Sequence, residues 1–306
     1  MSVSRINFLI PGAGKSGTSS IAHYLKAHPQ VFMPHIKEPT FFTFADDKLP
    51  AYKDGDKFLC STVHDLADYR KLFDNAGDCK AVGEASTYYF LLPERTIANI
   101  KRLIPDHEKI KIIIILRNPV DRAFSQYTMF RMNGFEDLSF EDAIKTENIS
   151  KRISEGYGPS YNYLEEGLYS YRIKAYQENF NDVKVYLYED LCQDPNSLMA
   201  DIFSFLDVDP MSCAQSYRKR VNPSGLPKIR FIHDFFSKKG GAFKSLWKVI
   251  IPKETRKGIK EKIISFNLKK VSMCPSTRSL LIDHYKNEIE ELEGIIGRDL
   301  SNWLKK

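Results

Sequence analysis

The chain has 306 residues, with 45 Lys and Arg against 39 Asp and Glu, for a formal net charge of +6. With 42% hydrophobic and 27% charged residues, it is an ordinary globular composition long enough to bury a core, which excludes wholesale disorder. No apolar run approaches the eighteen or so residues of a membrane span, and the stretch 6–10 is too short for a secretory leader, so neither is expected.

In chain order, 7–10 is a short apolar strand stopped by Pro11-Gly12-Ala13-Gly14. A helix follows from Gly17, with Ile21, Tyr24 and Leu25 on one face, ending before Pro29. A second strand is predicted at 81–83 and a helix at 93–103, where Ile97, Ile100 and Leu103 recur at helical spacing. The run 111–116 holds four consecutive isoleucines and fits a strand buried on both faces. Asn118-Pro119 then opens a helix, Asn as N-cap and Pro at the first helical position. A further strand is predicted at 183–188, a helix at 196–206 and a long terminal helix at 277–294. Strands separated by helices predict an α/β fold, a central parallel sheet with helices on both faces and ligands beyond the strands' carboxyl ends. One domain over 1–306 is expected, with 134–167 and a basic stretch as elaborations.

The basic stretch 218–272 carries sixteen Lys or Arg against three acids. Solvated helix faces explain most of it, and peripheral contact with an anionic membrane surface is the alternative. No nucleic-acid motif accompanies it. Five cysteines (Cys60, Cys79, Cys192, Cys213 and Cys274) are scattered, odd in number and never in CxxC spacing. They predict a reducing, cytoplasmic setting and no metal site.

Two segments carry chemistry. The first, Gly12-Ala13-Gly14-Lys15-Ser16-Gly17-Thr18-Ser19, joins a strand to a helix. Glycines let backbone N–H groups converge, the helix N-terminus adds positive potential, and Lys15 adds a full charge, a combination that cradles phosphate. A Walker A loop fails here, because Leu9 stands where its first glycine belongs. The second segment follows the isoleucine strand. An NTPase often places a Mg²⁺-holding acid there, whereas this chain has Arg117, with Ser125 two turns on. Arg117 at a strand end suits a second phosphate held by protein donors, while Arg122 fits a surface pair with Asp121.

Together these segments resemble the sulfotransferases that use 3′-phosphoadenosine 5′-phosphosulfate (PAPS), enzymes with a P-loop-kinase-like fold. The resemblance implies that Lys15, Ser16, Gly17, Thr18 and Ser19 bind the 5′-phosphosulfate and that Arg117 and Ser125 bind the 3′-phosphate. Lys37-Glu38-Pro39-Thr40-Phe41-Phe42 is similar to an element of the glycan-directed members whose glutamate is a candidate base. Gly83-Glu84-Ala85-Ser86-Thr87-Tyr88-Tyr89-Phe90, Gly167-Leu168-Tyr169 and the stretch 292–303 also look like family blocks. Thr40 departs from the usual histidine and Ala85 from a frequent lysine, and neither the cysteine pair nor the anchor of Golgi members is found. A soluble, bacterial-type member is implied. Lys219 and Arg220 resemble the late segment that closes over the 3′-phosphate.

Sulfuryl transfer by in-line displacement needs a base, a cation at the bridging oxygen and donors that hold the group in line. Lys15 is the expected cation and Glu38 the expected base, with His35 and Glu84 as rivals; an ion pair with Lys37 is the structural alternative for Glu38. Tyr161, Tyr163, Tyr169, Tyr171 and Tyr176 line a sugar cleft or, more often for such residues, pack helices. The expected reaction needs no metal and sulfates a hydroxyl, or an amine, of a carbohydrate or small metabolite. A small-molecule kinase using Gly14-Lys15-Ser16 and a non-catalytic nucleotide- or polyanion-binding protein are the alternatives. The sequence leaves the acceptor and the oligomeric state open.

Overall fold

The computed structural model describes residues 5–53, 59, 61–210, 226–227, 268–269 and 271–305. Lys219, Arg220 and most of the basic stretch 218–272 lie outside the described residues. Within that stretch, Leu226–Pro227 and Leu268–Lys269 form a two-residue antiparallel pair.

Five strands form one sheet: β1 (Phe8–Gly12), β2 (Val31–Phe32), β3 (Ala81–Ala85), β4 (Lys111–Leu116) and β5 (Val183–Leu187). Their order is β2-β3-β1-β4-β5 and every pairing is parallel. The isoleucine run forms β4 as expected. Ile112, Ile114 and Leu116 enter one hydrophobic cluster and Ile113 and Ile115 the other, so each face of the sheet receives alternate side chains. β1 departs from expectation at its end, for Pro11 does not stop it. The register of β1 against β4 shifts between Leu9 and Gly12, and a proline without an N–H is tolerated at such an irregularity.

From β1 the chain enters α1 (Thr18–Lys26) and passes β2, then two short helices, α2 (Phe41–Phe44) and α3 (Leu66–Lys71), before β3. Helices α4 (Tyr88–Leu91) and α5 (Pro93–Leu103) link β3 to β4. After β4 come α6 (Pro119–Asn133), α7 (Phe140–Ala143), α8 (Thr146–Ser154) and α9 (Ser170–Gln177). Beyond β5 lie α10 (Tyr188–Gln193), α11 (Pro195–Phe205) and the long α12 (Pro275–Ile296).

One face of the sheet packs on Ile21 and Leu25 of α1 and on Leu198, Ile202 and Phe203 of α11. The other packs on Ile97 and Ile100 of α5, Val120 of α6, Ile173 of α9 and Leu281, Tyr285 and Ile289 of α12. Helices therefore cover both faces, and the carboxyl ends of β1, β3, β4 and β5 are where a ligand can approach. Among the described residues no helix is long and apolar enough to cross a membrane.

Candidate active site

The first strand ends in a tight cradle. The Ala13 N–H donates to the Ile115 carbonyl at 2.7 Å, which ties the loop to β4, and the Ser16 N–H donates to the Ala13 carbonyl at 3.3 Å. Gly17 caps α1 with φ at +102°, in the left-handed region. A Cβ there would sit 2.7 Å from Leu191 Cδ2, so both backbone and packing require glycine. Thr18 and Ser19 open α1, and the first turn of any helix has N–H groups with no acceptor inside it. Ser16 is fully buried and its Oγ has no hydrogen-bond partner in the protein. An orphaned buried hydroxyl beside free helix N–H groups fits a phosphate oxygen.

Lys15 crosses this cradle. Its Nζ lies 3.3 Å from Met129 Sδ on α6. Burial first, then the charges of Lys37 and Arg117, pull its ammonium down to about 8, while the nearby Glu38 carboxylate acts in the opposite direction.

At the end of β4, an Arg117 guanidinium nitrogen donates to the Lys15 carbonyl at 3.3 Å. The guanidinium lies 4.9 Å from the centre of the Tyr188 ring, at the carboxyl end of β5. Tyr169 donates its hydroxyl to the Arg117 carbonyl at 2.8 Å. The α6 helix starts next to it, with the Asn118 side chain accepting from the Val120 N–H at 3.0 Å and the Asp121 N–H at 3.5 Å. Ser125 lies four residues before Met129 and so shares its helix face. The structure thus brings Lys15 and Arg117 into contact and sets Ser125 on the helix that Lys15 touches.

Arg122 is not the surface arginine that the sequence predicts. It is fully buried, bonded to Gln126, to the Tyr163 carbonyl and, at 3.1 Å, to Glu166. Asp121 pairs instead with Arg278 at 2.7 Å. Glu166 holds Gln126 at 2.7 Å and lies 3.3 Å from where a Gly14 Cβ would be. A buried cation is retained only with a partner, and Glu166 supplies it under the cradle floor.

Glu38 sits on a turn in which it and Thr40 both take positive φ, +52° and +51°. Lys37 pairs with its carboxylate at 3.3 Å, and the Thr87 hydroxyl donates to it at 3.2 Å. Thr87 Cβ is also 3.8 Å from the Gly14 Cβ position, so Thr87 bridges Glu38 to the cradle. The Lys37 pair anticipated for Glu38 is therefore present, on a carboxylate that also faces Lys15 electrostatically. His35 is exposed. Glu84 is fully buried and accepts from Tyr69, Ser86 and Tyr89. Burial, opposed by those hydrogen bonds, pushes it up to about 7.

Of the five tyrosines weighed for a sugar cleft, Tyr161, Tyr163, Tyr169 and Tyr176 are core residues and Tyr171 is exposed. Sequence reasoning missed Thr87, Met129, Glu166 and Tyr188. One signal pointed to Tyr188: it directly follows the last strand, where the parallel-sheet rule places ligands.

Residues 5–223 match a family described as sulfotransferase domain. The fold matches a crystal structure of a sulfotransferase from Alicyclobacillus acidocaldarius with a TM-score of 0.72 and 30% identity, over 99% of this chain and 100% of that one. Two curated relatives are the membrane-associated sulfotransferase kil1 of Dictyostelium discoideum, 28% identical over 40% of this chain, and human heparan sulfate glucosamine 3-O-sulfotransferase 3B1, 25% identical over 65%. The matches span only 22% and 45% of the lengths of those two relatives.

Proposed function

The chain belongs to the sulfotransferase domain family, and from that footing we propose that it transfers a sulfuryl group from PAPS to an acceptor hydroxyl or amine. The observation that carries the reading is the joint made by Lys15 and Arg117 at the ends of β1 and β4, above the orphaned Ser16 hydroxyl. Cations and free donors, rather than an acid, stand where phosphates would lie, which supports a doubly phosphorylated nucleotide bound without a metal. Lys15, Ser16, Gly17, Thr18 and Ser19 take its 5′ end. Arg117 and Ser125 take the 3′-phosphate, with Lys219 and Arg220 as further partners.

Glu38 accepts the proton of the acceptor as its oxygen or nitrogen bonds to sulfur. Lys15 meets the electron pair left on the phosphate oxygen as the old S–O bond breaks, where fixed positive charge acts most strongly on the transition state. A glycan or another small metabolite is the proposed acceptor class, the glycan favoured by the heparan-directed relative. Residues 1–306 are read as one sulfotransferase domain, supported by α12, which packs into the same core as α5 and α6. Cytoplasmic residence is read from the scattered thiols, of which Cys79, Cys192 and Cys274 are free.

Calorimetry tests the cofactor. 3′-Phosphoadenosine 5′-phosphate should bind far more tightly than AMP, with or without Mg²⁺, and Arg117→Ala should weaken it by about 1.5–3 kcal/mol. Equal affinity for the two nucleotides, or binding of ATP only with Mg²⁺, overturns the reading.

A further inference from the structure

Three donors converge on one buried carboxylate beside the turn that carries Glu38. Glu84 is fully buried, so it has no face to offer an acceptor. Its Oε1 accepts from the Tyr69 hydroxyl at 3.2 Å and from the Tyr89 hydroxyl, and its Oε2 accepts from the Ser86 hydroxyl at 2.8 Å. All three hydroxyls donate to it at once when it is ionised, an acceptor-only group and the form that prevails above about pH 7.

Two of these donors pass the grip onward. Ser86 Oγ accepts the Thr40 N–H at 3.0 Å, and the Tyr89 hydroxyl accepts the Phe42 N–H at 3.3 Å. The third, Tyr69, stacks on Phe41 with ring centres 4.1 Å apart. Residues 40, 41 and 42 are thus each held by a partner of Glu84. The held segment directly follows Glu38, whose left-handed backbone, like that of Thr40, persists only where its surroundings over-determine it. Thr87, on the same connection after β3, holds the Glu38 carboxylate itself.

We propose that Glu84 is a positioning residue for Glu38, a buried carboxylate that pins the turn bearing the base through Ser86, Tyr89 and Tyr69. The role rests on the reading of Glu38 as the base. It also explains why a carboxylate sits in an apolar layer at all: glutamine in the same place offers one acceptor oxygen instead of two. With glutamine the Ser86 hydroxyl loses its acceptor and faces an N–H donor instead. The first link of the chain Glu84–Ser86–Thr40 must then reverse and the Ser86 O–H is left unpaired in a buried layer, which loosens the grip.

The test uses the full chain with Glu84→Gln and, as a milder cut, Ser86→Ala, each made alone and on a Glu38→Gln background. Amide hydrogen exchange is read at Thr40 and Phe42 and across β1 and β4, beside kcat and 3′-phosphoadenosine 5′-phosphate affinity. In Glu84→Gln the Thr40 and Phe42 amides should exchange about fivefold faster or more, the equivalent of one net hydrogen bond, with β1 and β4 unchanged. Ser86→Ala should release Thr40 alone. The kcat of Glu84→Gln should fall about tenfold to a hundredfold, the scale of a misplaced reacting group, at unchanged nucleotide affinity. On the Glu38→Gln background it should fall no further. Uniform acceleration of exchange across the sheet, or an equal further loss of rate on that background, overturns the positioning role. A wild-type chain that moves no sulfuryl group overturns the reaction instead, and leaves the exchange pattern to decide the grip.

Discussion

Lys15 is the residue whose environment most constrains the chemistry. Burial and the charges of Lys37 and Arg117 hold its ammonium at about 8 instead of the usual 10.5. In the free protein it is charged below that pH and loses its proton as pH rises through it. A bound phosphate favours the charged form and restores the proton. Nucleotide affinity should therefore decline above pH 8, and binding at pH 8 should take up about half a proton. Calorimetry in two buffers of different ionisation enthalpy measures that uptake, and Lys15→Ala should abolish it while lowering the transfer rate more than the affinity. Proton-neutral binding at pH 8 would place Lys15 away from the phosphate. Lys15 and Arg117 were readable from sequence because each stands next to a local signal, a glycine loop or a strand end. Met129 and Glu166 reach the same site through tertiary contacts that no local pattern announces, and the pairing of Arg122 was misjudged for the same reason; Tyr188 had only its place after the last strand to mark it.

Helix α6 shows how an element carries the site. Asn118 caps it and also donates to the Trp303 carbonyl at 3.2 Å, so one side chain fixes the helix start to the chain's last turn. Asn118→Ala should cost about 0.5–2 kcal/mol in urea unfolding, the range for a lost N-cap. It should also weaken the bisphosphate nucleotide, because Ser125 and Met129 ride on this helix. Wild-type affinity in that variant would separate the cap from the site. The cap, the helix at Pro93–Leu103 and the strand at Lys111–Leu116 follow directly from sequence signals, each having a clean period or a stop residue. Eight elements escaped, β2 and seven helices, α9 among them. At two residues, β2 is too short to show any period. In α9 the buried face consists of Ser170, Arg172, Ile173 and Tyr176, and a buried arginine hides the apolar stripe. Arg172 donates there to the Leu168 and Glu165 carbonyls from one guanidinium nitrogen, while its buried Nε has no partner among the described residues.

At the scale of the whole molecule, four parallel strand ends from distant parts of the sequence meet at one site. β1 supplies the cradle, β3 leads into Ser86 and Thr87, β4 into Arg117 and β5 into Tyr188. The chain's last turn closes the same end of the fold. Trp303 is buried, and its indole N–H donates to Glu189 on α10 at 2.9 Å. Trp303→Ala should destabilise the protein by about 3–5 kcal/mol, the usual cost of deleting a buried aromatic, seen as a lower urea midpoint. A loss under about 1 kcal/mol would show that the last turn is an ornament to a core complete without it. The crowding of Lys37, Arg117 and Arg122 around Lys15 has a further outcome. Like charges held together in the folded state oppose folding, and dissolved polyanions that settle among them relieve the opposition. A ligand at a hundred times its dissociation constant adds about 2.7 kcal/mol to a folded state. Dissolved polyanions that bind among these cations should therefore raise the resistance of this chain to heat and proteolysis.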